Sequence, residues 1–170
     1  MDHPDIQMLL IDVDGVLTDG GVFLDARGGE MKRFDIRDGM GMVVWRKCGL
    51  KLGIISGRPS EVTSRRAAEL GIDYVEQCQA MDKAASLENI CGESGIDPRN
   101  IAYVGDDLAD LPVMRRVSYP IAVADAAPEV VSAAKYVTKS RGGYGAVREV
   151  IEHLLKAMDR WDEVLDDYGA

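Results

Sequence analysis

Histidine and cysteine are scarce in this chain, positive charge is in deficit, and long hydrophobic runs are missing altogether. The three cysteines, Cys48, Cys78 and Cys91, are odd in number and share no C-x-x-C spacing, which excludes a disulfide framework and offers no zinc site. The two histidines, His3 and His153, lack partners at ligand spacing and read as surface residues. A formal net charge of −9 excludes broad attraction to nucleic acid or to an anionic membrane, so any phosphate must be held in a local pocket. No segment has the uninterrupted apolar length of a bilayer span, and the start "MDHPDIQ" has neither a basic region nor an apolar run, so the expectation is a soluble, cytoplasmic protein. Repeats, low-complexity tracts and linkers are also absent, and 170 residues at 46% hydrophobic content suit one domain over 1–170 with a full core.

What is present alternates. Short β-rich runs at 8–13, 51–56, 72–77, 100–105 and 119–124 are separated by stretches of helical period near 38–48, 60–70, 82–93, 107–115 and 126–134. Alternating strands and helices predict an α/β fold with a parallel sheet. Gly49 and Gly71 sit where helices end, Pro59 and Ser60 where one starts, and a last helix is expected from about 145 to 160, followed by the acidic "WDEVLDDYGA". Residues 20–36 break the rhythm: β-like runs at 22–24 and 31–36 flank "DARGG", which reads as a β-hairpin inserted after the first strand. Ligands bind at the carboxyl ends of strands in open α/β sheets, so the hairpin is a candidate flap over a site. Met40, Met42 and Trp45 read as the core face of a helix.

The stretch "LLIDVDGVLTDG" at 9–20 raises a charge problem. Apolar residues run up to Asp12, Asp14 follows two places on, and a buried carboxylate is too costly to keep ionised without a cation. Three other places are predicted at the same sheet edge: Ser56 with Gly57 and Arg58, Lys83 opening a helix, and Asp106 with Asp107 after "IAYVG". Carboxylates at 12 and 106 with a carbonyl near 14 form a hard, oxygen-rich set suited to Mg²⁺, which keeps waters for a phosphate substrate. Ser56, Lys83 and the backbone N–H at Gly57 then hold phosphoryl oxygens. A calcium loop is excluded, because Val16 and Leu17 stand where an EF-hand needs a ligand and a glycine.

The motifs "DVDGVLTD" at 12–19, "IISGR" at 54–58, Lys83 and "GDDLADLPVM" at 105–114 resemble the haloacid dehalogenase superfamily of aspartate-nucleophile phosphatases. With "RDGMG" at 37–41, "AVADAAPEV" and "GGYGAVREV" at 142–150, the chain is most similar to the 3-deoxy-D-manno-octulosonate 8-phosphate phosphatases. The resemblance implies a Rossmann-like fold, Mg²⁺ and an aspartyl-phosphate intermediate. It makes Asp12 the nucleophile and Asp14 the general acid and then base, with Ser56 and Lys83 on phosphoryl oxygens. Asp12, Asp14 and Asp106 would hold the metal, Asp107 would support Lys83 or the metal's outer shell, and Asp110 would be a further supporting carboxylate. Gly57, Arg58 and Arg37 would bind substrate. A carboxylate suits the nucleophile's role because it is already ionised at neutral pH.

Only 41 residues separate Asp14 from Ser56 and 26 separate Ser56 from Lys83, which leaves no room for a cap domain. An open acyl-phosphate site takes large substrates or borrows cover from a neighbouring subunit. The resemblance implies a homotetramer with active sites near subunit interfaces, in which the segment from "GGYGAVREV" onward can approach an adjacent site. Two positions depart from the family's pattern: Tyr144 stands where a basic residue is common, and "CQAMDK" at 78–83 where "GQSNK" is usual. The expected activity is hydrolysis of a 2-keto-3-deoxy sugar acid phosphate, with the octulosonate 8-phosphate ahead of a nonulosonate 9-phosphate. A phosphomutase, which needs a cap, and a non-catalytic phospho-acceptor or assembly module rank behind it.

Overall fold

The computed structural model describes residues 5–78 and 82–169. His3 and part of the "CQAMDK" stretch, 79–81, lie outside the described residues. The elements run β1 (Met8–Ile11), β2 (Phe23–Leu24), β3 (Glu30–Met31), α1 (Ile36–Lys47), β4 (Lys51–Ser56), α2 (Glu61–Leu70), β5 (Tyr74–Gln77) and α3 (Lys83–Ser94). They continue with β6 (Ile101–Gly105), α4 (Leu111–Met114), β7 (Tyr119–Ala122), α5 (Pro128–Ala133), β8 (Tyr136–Val137), α6 (Ala146–Ala157) and α7 (Trp161–Asp167).

Six strands form one parallel sheet in the order β5-β4-β1-β6-β7-β8, and β2 and β3 pair antiparallel as the separate hairpin. Strand periodicity explains the layers. Leu9 and Ile11 of β1 pack with Trp45, Ile54, Val150 and Leu154 under α1 and α6, while Met8 and Leu10 pack with Ile55, Leu87, Ile90 and Val113 under α3 and α4. The central strand is therefore apolar on both faces, which is why it reads as a continuous hydrophobic run. The chain leaves β1 for β4 on one side and returns to β6 on the other, so the crevice beyond the carboxyl end of β1 is the topological switch point.

Several sequence expectations are corrected. The helix expected over 107–115 is a tight turn, Leu108–Asp110, leading into the short α4, because Asp107 and Asp110 divert their side chains to backbone N–H groups. Residues 136–137 add an edge strand that is too short to signal itself. The hairpin strands cover 23–24 and 30–31 rather than 22–24 and 31–36. The last helix ends at Ala157, and the acidic tail continues as α7, anchored by buried Val164 and by Arg160, which donates to the Cys48 carbonyl at 2.7 Å. Cys48 follows α1 and precedes β4, so the tail lies at the end of the sheet opposite the switch point. Met42 and Trp45 are fully buried as expected, but Met40 is exposed. His153 is not a free surface residue: its ring stacks on Tyr136 at 3.8 Å and its Nε2 lies 2.9 Å from the Tyr119 hydroxyl.

Candidate active site

Asp12 follows β1 and stays in register with the sheet, its N–H donating to the Val104 carbonyl at 3.0 Å. A loose turn, Val13–Leu17, then bends the chain away, opened by Asp14 (ψ 107°) and Gly15 (φ 99°). Gly15 is required twice: its φ is left-handed, and a Cβ there would stand 2.0 Å from an Asp106 carboxylate oxygen. The absence of a side chain lets the Asp106 carboxylate close on the turn.

Lys83, the first residue of α3, carries its ammonium into the sheet edge and is 4% exposed. It donates to Asp12 Oδ1 at 2.5 Å and to Asp110 Oδ1 at 2.6 Å. Asp110 is completely buried and saturated: Oδ1 also accepts from the Tyr103 hydroxyl at 2.5 Å, and Oδ2 from the backbone N–H groups of Asp106 and Asp107 at 2.8 and 3.2 Å. The support expected of Asp107 for Lys83 therefore falls to Asp110. Asp107 instead spends its carboxylate on the Leu108 N–H, because Asp110, three residues on, is the side chain that turns inward. Tyr103, unforeseen in the sequence, points from β6 into the same cluster, and burial raises its hydroxyl well above the ordinary range, keeping it a donor.

Asp12, Asp106 and Asp110 each present an oxygen within 4.8 Å of the others, against one ammonium. The surplus of negative charge has a direct effect. Burial, together with Asp110, pushes Asp12 up to about 6 despite Lys83. Burial, together with Asp12 and Asp110, pushes Asp106 up to about 8. Burial by itself would lower Lys83, but Asp12 and Asp110 outweigh it and raise it. Such a cluster fits a hard divalent cation. Because the Asp110 oxygens are already occupied, the carboxylates free to take one are Asp12 and Asp106.

The cluster floors a cleft of about 450 Å³, whose walls include Asp14, Gly57, Arg58, Asp107 and, from the flap, Val22. Ser56 ends β4 and is buried; its hydroxyl accepts from the Arg58 N–H at 3.2 Å and donates to the Arg58 carbonyl at 3.0 Å, shaping the turn that presents Gly57. Two flap residues that sequence reasoning passed over pair with residues of the cleft wall. The Lys32 ammonium lies 2.7 Å from Asp14 Oδ1, and the Glu30 carboxylate takes both Arg58 amino groups at 2.8 and 3.0 Å. Their signal was the pair of opposite charges two apart in "EMK", the spacing that turns both side chains to one side of a strand.

Arg37 does not join the cluster. Its guanidinium is tied to Asp35 at 3.0 and 3.1 Å and to the Tyr144 carbonyl at 3.0 Å, along a separate depression shared with Tyr136, Arg148 and Glu149. The glycine-rich segment before α6 braces the catalytic turn: the Gly143 N–H donates to the Val16 carbonyl at 2.9 Å, and a Cβ at Gly142 would stand 1.7 Å from the Gly15 oxygen. Tyr144, the departure noted above, lies under the Arg33 guanidinium at 4.3 Å.

A family model described as haloacid dehalogenase-like hydrolase matches residues 77–151. The chain is 43% identical over 158 residues to the 3-deoxy-D-manno-octulosonate 8-phosphate phosphatase of Escherichia coli strain K12, covering 93% of this chain and 84% of that protein. It is similar to the crystal structure of the phosphatase of that name from Moraxella catarrhalis, solved with magnesium ion, phosphate ion and 3-deoxy-D-manno-octulosonate (KDO), with TM-score 0.93, 37% identity and coverage of 98% and 95%. The cobalt-bound deoxy-D-mannose-octulosonate 8-phosphate phosphatase from Haemophilus influenzae superposes with TM-score 0.88, 35% identity and coverage of 92% and 91%.

Proposed function

Because this chain belongs to the 3-deoxy-D-manno-octulosonate 8-phosphate phosphatase family of haloacid dehalogenase-like hydrolases, we propose that it hydrolyses that sugar acid's 8-phosphate with Mg²⁺. The observation that carries the proposal is the buried Asp12–Lys83–Asp110 chain with Asp106 beside it, flooring an open cleft at the switch point. Asp12 and Asp106, with the Asp14 backbone carbonyl, would hold the ion. When bound, Mg²⁺ neutralises the phosphoryl group and offsets the repulsion between the two carboxylates.

Asp12 acts as nucleophile: its carboxylate attacks phosphorus, the phosphorus–oxygen ester bond breaks, and the leaving sugar oxygen takes a proton from Asp14. Asp14 then removes a proton from water, whose oxygen attacks the aspartyl phosphate, releasing inorganic phosphate and restoring Asp12. Lys83 pins one Asp12 oxygen and supplies positive charge to the phosphoryl oxygens, joined by the Gly57 N–H and the Ser56 hydroxyl. Arg58, at the cleft wall, meets the substrate's anionic groups.

Among the described residues no cap covers the cleft, and the hairpin turns Phe23, Leu24 and Met31 outward with 61–72% exposure, an apolar surface consistent with packing against further copies in a homotetramer. Among the described residues no helix is long and apolar enough to cross a membrane, in keeping with a cytoplasmic location. Phosphate release from octulosonate 8-phosphate, nonulosonate 9-phosphates and hexose phosphates, with Mg²⁺ and then with EDTA, tests the proposal. The expected result is metal-dependent turnover that is highest on octulosonate 8-phosphate and abolished by Asp12→Asn, with unchanged circular dichroism. Turnover by Asp12→Asn at the wild-type rate overturns the assignment of the nucleophile.

A further inference from the structure

The flap is joined to the cleft by charge. Lys32 Nζ lies 2.7 Å from Asp14 Oδ1 and 3.7 Å from Glu30 Oε1; Glu30 holds the Arg58 guanidinium by two hydrogen bonds; and Arg58 Nε comes to 3.8 Å from Asp14 Oδ2. Two carboxylates and two cations thus close into a ring of alternating sign. Asp14 is contributed by the turn after β1, Arg58 by the turn after β4, and the other two members by one edge of the flap. The pleat explains the pairing: Glu30 and Lys32 face inward while Met31, between them, is 66% exposed.

The ring addresses both oxygens of Asp14 from different directions. The Lys32 side chain is entirely buried; its ammonium pairs with Asp14 by charge and donates a hydrogen bond to the Thr63 hydroxyl on α2 at 3.1 Å, so it is held from two sides. Glu30 is fixed in turn by the Ser60 hydroxyl at 2.8 Å, and its hydrogen bonds with Arg58 hold its carboxyl below the usual range. Asp14 keeps 26% of its side chain open toward the cleft. Burial of a lysine ammonium is costly unless acceptors surround it. The acceptor this buried ammonium reaches is the carboxylate that must meet the leaving group.

Resting on the phosphatase assignment above, we propose that Lys32 and Glu30 are positioning residues of the reaction: the flap orients Asp14 for proton transfer and Arg58 for substrate, in addition to any part it plays between subunits. Lys32 acts through Asp14, so its loss is felt where the leaving oxygen needs a proton and little where it does not.

The test compares kcat/KM of wild type, Lys32→Met, Lys32→Arg and Asp14→Asn on octulosonate 8-phosphate, a primary alkyl ester, and on 4-nitrophenyl phosphate, whose leaving group departs without a proton. Because kcat/KM reports the steps up to phosphoryl transfer to Asp12, later attack by water does not blur the comparison. General acid catalysis is worth about 10²–10⁴-fold, so Lys32→Met is expected to lose roughly 10–100-fold on the alkyl ester and less than about threefold on the aryl ester. Lys32→Arg recovers part of the loss, and Lys32→Met added to Asp14→Asn costs nothing further on the alkyl ester. Glu30→Gln, which preserves shape, provides a second variant should Lys32→Met fold poorly, and is expected to show the same selectivity at smaller size. Equal losses on both esters, no loss on either, or full additivity with Asp14→Asn overturns the proposal. Failure of the wild type to hydrolyse either ester in Mg²⁺ instead overturns the phosphatase assignment, and with it this one.

Discussion

Replacing Lys83 by methionine removes the ammonium that sits among the carboxylates of Asp12, Asp106 and Asp110 while keeping the length and apolar stem of the side chain. In the wild type, Lys83 bridges Asp12 and Asp110 at 2.5 and 2.6 Å, and all three side chains are at most 6% exposed. Taking one partner from a buried ion pair costs about 3–5 kcal/mol, because the charge left behind is desolvated and unpaired. At roughly 2–4 °C per kcal/mol for a chain of this size, the melting temperature of Lys83→Met should fall by about 6–20 °C. The deficit should depend on pH with a definite sign. Asp12, at about 6, and Asp106, at about 8, both titrate above the ordinary carboxyl value of 3.8. A carboxyl raised in the folded state contributes its stabilisation in full below its unfolded value and loses it as pH rises through its folded value. Without the ammonium both groups move further up, so the variant can relieve its repulsion by taking up protons in acid but not in alkali. Urea unfolding in EDTA at about pH 5 and about pH 8.5 should therefore show a gap between variant and wild type that widens with pH. Added Mg²⁺ should restore part of the loss at the higher pH. A variant as stable as the wild type at the higher pH, or a deficit equal at both, would refute the assigned role of Lys83.

Gly142→Ala forces a methyl group against the Gly15 carbonyl and should destabilise by at least about 1–3 kcal/mol while lowering kcat, measured by urea unfolding and phosphate release. Gly92→Ala, in α3 with nothing within 4 Å of the added carbon, should instead stabilise by about 0.5–1 kcal/mol and leave turnover unchanged. Mg²⁺ binding should release protons between the values of Asp12 and Asp106, about 6 and about 8, and tighten as pH rises through that range. Calorimetric titration in two buffers of different ionisation enthalpy measures this directly, and a heat independent of buffer would contradict it.

Much of this was legible in the residues because it depends on short-range rules. The β1 run "MLLI" announced a strand buried on both faces, Ser60 a helix start and Gly71 a helix end, and the strand-helix rhythm announced a parallel sheet with its site at the carboxyl edge. Asp12, Ser56, Lys83 and Asp106 were legible for the same reason: each adjoins a strand end or helix start whose position follows from the pattern. The resemblance made Asp107 a support for Lys83 or for the metal's outer shell. The turn at Leu108–Asp110 rotates Asp107 outward and Asp110 inward, and that rotation depends on which backbone N–H groups the β6 terminus leaves free. Arg37 lay near the motifs in sequence, but Asp35 and the Tyr144 carbonyl draw its guanidinium into a different depression.

The order of elements, the parallel sheet and the residue types gathered at its carboxyl edge follow from the residues alone, since hydrophobic period and turn chemistry act over a few neighbours. Which charges meet is set by the packing of segments far apart in the chain. Lys83 bonds Asp12 across 71 positions, and the Arg58–Glu30 pair, at a separation of 28, helps close the ring from the flap to Asp14. Such pairings are selected by the cost of burying an uncompensated charge where distant segments converge, which no local pattern records.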